Sequence, residues 1–205
     1  MSNIFSIENL YYQIDKMQII KNINCVIKNG ITIINGPNGA GKTTFLKLLF
    51  GLISPTEGSI IKNYDETKIR TSFVFQNPIF LNRTVKENLE HTLYCKNIKR
   101  NNWNRIISEH SKLYTIEHML KLNINMLSGG ELQLLSLIRS IIIEPHILFY
   151  DEPTNNLDTS NINLLIQIIN KIHNNGGSII MVSHNDFPER NMDYHKLSIK
   201  QGSLQ

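Results

Sequence analysis

The sequence predicts an α/β fold with a mixed central sheet, an antiparallel β region near its start and a helical subdomain inserted in its middle. Three observations predict it. A short β-branched run at residues 31–34 enters a glycine-rich loop and continues as a helix over 45–50. Two further apolar runs, at 147–150 and 178–182, have the uninterrupted character of parallel strands covered on both faces. The hydrophobic period becomes helical over 82–122 and again over 132–143. A chain of 205 residues suits a single domain, with a core at about 1–81 and 145–205 and a helical subdomain at about 82–144.

The glycine-rich loop carries the chemistry. Gly36, Pro37, Asn38, Gly39, Ala40, Gly41, Lys42 and Thr43, followed by Thr44, fit the phosphate-loop pattern G-x-x-x-x-G-K-[ST], in the strand, loop, helix context that gives it meaning. A triphosphate is a dense polyanion. Glycines let successive backbone N–H groups turn inward around it, and the start of the following helix adds partial positive charge. Lys42 then places an ammonium against the outer phosphates, and the Thr43 hydroxyl is a ligand for the Mg²⁺ that bridges them. A glycine turn that merely precedes a helix would not need Lys-Thr at this offset.

Composition narrows the rest. Charged residues at 19% and hydrophobic residues at 41% are ordinary for a globular chain. No apolar run approaches the roughly 20 residues that span a bilayer, and the first residues lack a signal peptide's basic and apolar regions, so a cytosolic location is expected. Cys25 and Cys95 lie far apart without metal-ligand spacing and read as buried thiols. A net charge of +4 would suit an anionic partner, but Lys96, Lys99, Arg100 and Arg105 are its only concentration, and a solvated helix face explains them equally well.

Taken in order, residues 4–34 read as an antiparallel β region, with strands at 5–7, 10–12, 19–27 and 31–34. Tyr11 or Tyr12 could offer a π face to a purine or simply pack on the sheet. Gly51 ends the first helix, and strands follow at 59–62 and 71–75. Gln76 closes the second of these, where a carboxamide oxygen binds Mg²⁺ or holds an attacking water. Thr84 and Glu87 have the spacing of a capping box. Ser128 caps a long helix whose first residues, Gly129 and Gly130, offer free N–H groups. The strand at 147–150 runs into Asp151, suited to Mg²⁺, and Glu152, suited to polarising a water aimed at a terminal phosphate. His184 follows the strand at 178–182, at the carboxyl end where open α/β sheets bind ligands.

Together these stretches resemble the nucleotide-binding subunit of the ATP-binding cassette (ABC) superfamily of P-loop NTPases, over essentially the whole chain. Gly36 to Thr44 resembles the Walker A loop, residues 147–152 the Walker B strand with its trailing glutamate, and Leu127 to Glu131 the LSGG signature. Gln76 corresponds to the Q-loop, Asn156, Leu157 and Asp158 to the D-loop, and His184 to the switch histidine. The resemblance implies a homodimer, or paired cassettes, with each ATP between the Walker A loop of one copy and the signature helix of the other. Ser128, Gly129 and Gly130 would meet the γ-phosphate across that interface, Glu152 would act as general base, His184 would steady the phosphate, and Asp158 would couple the two sites. Two departures stand out: Glu131 where Gln is frequent, and Leu134 where Arg is usual. Counting from the Walker A loop, the adenine-stacking position falls nearest Ile14, so Tyr12 would reach in from two residues earlier on the same strand face.

The functional expectation is an ATPase with ATP and Mg²⁺ as cofactors that drives separate transmembrane permease subunits. It would sit on the cytoplasmic face of the membrane through that permease and be served, in an importer, by a periplasmic solute-binding protein. The 75–89 segment is similar to importer cassettes for oxyanions such as tungstate, or for polar amino acids. The alternatives are a haem-exporting cassette for cytochrome maturation and a soluble non-transport ABC ATPase. The latter relatives carry two cassettes, a coiled-coil insertion or zinc-binding cysteines, and none of these occurs here, which argues against a nucleic-acid partner. A non-hydrolytic module would lack Glu152 or His184, and both are present.

Overall fold

The computed structural model describes residues 2–152, 159–183 and 193–205. Its strands are β1 (Asn3–Ile14), β2 (Met17–Lys28), β3 (Ile31–Asn35), β4 (Glu57–Lys62), β5 (Thr71–Val74), β6 (Ile147–Asp151), β7 (Ser178–Val182), β8 (Tyr194–Lys200) and β9 (Ser203–Leu204). The helices are α1 (Lys42–Phe50), α2 (Val85–Cys95), α3 (Trp103–Leu113), α4 (Gly129–Ile141) and α5 (Thr159–Asn174). Short 3₁₀ turns at Arg100–Asn102, Glu117–Met119 and Ile124–Met126 link the helices between β5 and β6.

Two sheets form. The smaller is antiparallel, in the order β2-β1-β4. The larger is mixed, in the order β5-β6-β7-β3-β8-β9, with parallel pairing from β5 to β8 and an antiparallel edge at β8–β9. Residues 31–34 were expected to extend the antiparallel region; instead, β3 pairs in parallel with β7 and β8 inside the larger sheet. The reason lies in its composition. All four residues are buried, so the strand needs cover on both faces, and Gly30, at φ 120°, turns the chain out of the smaller sheet. The strands expected at 5–7 and 10–12 are one continuous β1, irregular around Asn9, which takes φ 46°.

The larger sheet divides the apolar core in two, and the alternation of side chains along each strand decides which half a residue joins. Ile34, Ile147, Phe149, Ile180 and Val182 face one cluster, shared with α1 and the smaller sheet. Ile31, Ile33, Leu148, Tyr150, Ile179 and Met181 face the other, shared with α2, α3, α4 and α5. The helical insertion therefore buries its apolar stripe against the sheet itself. In the first cluster the Phe149 ring meets Phe50 edge-on at 5.2 Å and Phe5 at 6.1 Å, which ties α1 and β1 to β6.

Local signals terminate the helices as the residues dictate. Thr84 Oγ1 accepts from the Glu87 N–H at 3.2 Å, while the Glu87 carboxylate accepts from the Thr84 N–H at 2.9 Å. Gly51, left-handed at φ 89°, donates its N–H to the Lys47 and Leu48 carbonyls and stops α1. Both cysteines are free thiols, and neither is fully buried as expected: Cys25 is half-buried, where desolvation pushes the thiol up to about 11, and Cys95 is exposed at the end of α2. Among the described residues, no helix is long and apolar enough to cross a membrane.

Candidate functional site

The loop between β3 and α1 lies at the carboxyl ends of the parallel strands, where open α/β sheets bind ligands. Its backbone demands glycine at two points. Gly36 sits at φ 150°, and a Cβ there would lie 2.0 Å from the Ile199 carbonyl oxygen; Gly41 sits at φ 101° against Ile19. No side chain caps α1, so the N–H groups of its first turn remain available to an anion. Lys42 is 5% exposed, and its ammonium donates to the carbonyls of Gly36 at 2.9 Å and Pro37 at 3.0 Å. Burial lowers its pKa, opposed by the charges of Glu152 and Asp151.

A cavity of about 290 Å³ opens over this loop, lined by Met17, Ile19, Asn38, Gly39, Ala40, Gly41, Lys42, Thr43, Thr44 and Glu152. Asp151, 3% exposed, lies behind the cavity wall and accepts a hydrogen bond from the Thr43 hydroxyl at 2.8 Å. Burial raises the Asp151 pKa; the Thr43 hydrogen bond works against this, and the neighbouring Glu152 charge adds to it. Glu152 is held at φ 52°, an unusual conformation for a residue with a side chain, and its N–H reaches the Val182 carbonyl at 3.2 Å. Gln76, two residues past β5, donates its carboxamide N–H to the Glu152 carboxylate. Gln76, Thr43, Asp151 and Glu152, scattered in sequence, thus meet at one place.

Three expected residues stand apart from that cavity. Ser128, Gly129 and Gly130 are not among its lining residues; they form the start of α4, with Ser128 and Gly129 exposed and open space beside Gly129. The Ser128 hydroxyl donates to Glu131 at 2.7 Å and accepts from the Glu131 N–H at 3.3 Å. Glu131 completes this capping box, and the Ser128 hydroxyl and N–H hold its carboxyl below the usual range. Leu134, in place of the usual Arg, is half-buried against the helical cluster. Asp158 and His184 lie outside the described residues.

Tyr12 also stands apart from the cavity. It is absent from the cavity wall and packs, half-buried, on the cluster beneath the smaller sheet. The argument for it assumed unbroken alternation along β1, but the register shifts on both sides of Tyr12 break that alternation. Met17 and Ile19 line the wall instead. The sequence carried one clue to them: a strand following the Asp15 turn (φ 51°) leads its first residues back past the loop. Gln133 and Arg139, both on α4, were also missed; they bind the 76–79 backbone.

The described geometry has close counterparts. The model of the ABC transporter family matches residues 20–155. The chain is 37% identical over 187 residues to the zinc import ATP-binding protein ZnuC of Wigglesworthia glossinidia brevipalpis, covering 90% of this chain and 77% of that protein. It is 40% identical over 133 residues to the molybdate/tungstate import ATP-binding protein WtpC of Pyrococcus abyssi, covering 62% of this chain and 39% of that one. A solved ATP-binding cassette, in a dimeric post-hydrolysis state bound to ADP and Pi, superposes with a TM-score of 0.81 at 26% identity, over 98% of this chain and 96% of that one. The chain belongs to the ABC transporter family, as an ATP-binding subunit that hydrolyses ATP to drive transport.

Proposed function

We propose that two copies of this chain close head to tail around ATP, each nucleotide lying between the phosphate loop of one copy and the Ser128–Gly130 helix start of the other. The observation that carries this reading is a division of labour within one chain. The cavity gathers Lys42, Thr43 and Glu152, while a second anion-ready helix start, at α4, lies exposed and away from it. A partner's nucleotide gives that start a ligand. The dimeric cassette described above supports the pairing.

Within each site Lys42 binds the outer phosphates, and Glu152 accepts the proton of the attacking water. Gln76, bonded to Glu152, orients both. Hydroxyl, carboxylate and carboxamide oxygens of Thr43, Asp151 and Gln76 form a hard donor set suited to Mg²⁺. When bound, Mg²⁺ would offset charge on the phosphate oxygens. His184 steadies the transferring phosphate, and Asp158 links the two sites.

Hydrolysis drives separate permease subunits, so the chain works at the cytoplasmic face of a membrane. Import of a small solute, an oxyanion or other inorganic ion ahead of an amino acid, is supported by relatives named for zinc and for molybdate or tungstate import. A periplasmic solute-binding protein would deliver the solute. The decisive experiment co-purifies the chain with its permease and follows phosphate release. Glu152→Gln removes the base and keeps the cradle, so ATP should still bind while turnover falls about 10²-fold or more. Undiminished turnover would remove Glu152 from this role.

A further inference from the structure

The segment after β5 carries Gln76 to the Glu152 carboxylate, and three backbone anchors hold it there. Gln133 of α4 is 8% exposed, and its carboxamide N–H donates to the Gln76 carbonyl at 2.7 Å. Arg139 of α4 donates to the Ile79 carbonyl at 2.8 Å and lays its guanidinium 4.4 Å from the centre of the Phe80 ring. Asn88 of α2, 2% exposed, closes the far end by bonding both the N–H and the carbonyl of Leu81 at 3.0 Å.

Gln133 is the informative member. Its Oε1 is buried without a partner among the described residues, so the carboxamide is desolvated in return for the single bond to Gln76. An apolar side chain would pack this position on the helix more cheaply. Gln133 also lies five residues beyond Ser128, about 8 Å along the same rigid helix.

We infer that Gln133, supported by Arg139, is a positioning residue that holds the Gln76 backbone so that the Gln76 carboxamide meets the Glu152 carboxylate. The inference rests on the proposed roles of Glu152 and Gln76. Gln133 and Arg139 grip the segment at two points, the Gln76 and Ile79 carbonyls, and so fix the direction from which the Gln76 side chain approaches Glu152.

A double-mutant cycle on the permease complex tests this, with kcat and KM for ATP read separately from phosphate release. Gln133→Met, similar in shape but without the donor, should lower kcat roughly tenfold or more, leave KM within about twofold and preserve ATP binding. In the Gln76→Ala background it should add nothing, because the side chain it positions has gone. Arg139→Lys, which keeps the charge but loses the flat contact with Phe80, is the second variant and should be equally non-additive. Unchanged kcat in Gln133→Met, multiplicative losses in the double variants, or kcat losses that track a lowered melting temperature would each overturn the inference. Undiminished turnover in Glu152→Gln would instead defeat the parent reading, so the two failures are distinguishable.

Discussion

At the phosphate loop the decisive residues are those that permit close approach. Gly36 admits the Ile199 carbonyl where a Cβ would collide, and this lets Lys42 fold back over the loop with its ammonium on two carbonyls. The loop itself was legible, because its pattern is contiguous and each position has a stated physical job; its contacts with Ile199 and with the two carbonyls emerge only in the folded chain. The adenine side was not, since its residues depend on register, and the bulged β1 cannot be phased by counting. The structure puts Met17, 72% exposed, on the cavity wall and Tyr12, half-buried, against the cluster beneath the smaller sheet. Met17→Ala should therefore weaken ATP binding a few-fold, as lost apolar cover on a purine would, while Tyr12→Leu should leave the dissociation constant unchanged. Titration with a fluorescent ATP analogue measures both; the reverse order would restore Tyr12.

Among the elements, α4 combines two roles that pull against each other. Its start is an anion-ready helix tip, yet the third helical residue is Glu131, ionised and bound to the Ser128 hydroxyl that would face a phosphate. The capping box stabilises the helix, but in the proposed pairing the same carboxylate would repel the partner's nucleotide. Glu131→Gln keeps the cap chemistry and removes the charge. The ATP concentration for half-maximal pairing should fall about twofold to fivefold, with the difference shrinking as salt is raised. No change at low salt would show that the tip does not approach phosphate. Elements themselves were readable where a single rule governs them: the Thr84 and Ser128 caps and the Gly51 stop follow from spacing alone. β3 was misassigned to the antiparallel region because a short turn at Asn29 and Gly30 reads as a hairpin, whereas burial on both faces sends the strand to the larger sheet. Gln133 was overlooked because a carboxamide in an amphipathic helix reads as surface, and only tertiary contact reveals it as buried.

On the scale of the molecule, the larger sheet separates two apolar clusters and collects the chemistry at its carboxyl edge. The cluster containing α1 steadies the phosphate loop. The other carries α4, whose tip lies outside the cavity, so in the proposed pairing one chain supplies halves of two different sites. That arrangement makes pairing the central claim. The most direct test is the mass, by sedimentation, of the Glu152→Gln protein, which is expected to bind ATP while scarcely consuming it. With Mg²⁺ and ATP it should sediment as a species of twice the 23.6 kDa single chain and return to the single chain when ATP is removed. A mass of one chain at saturating ATP, alone and in the presence of the permease, would contradict the account.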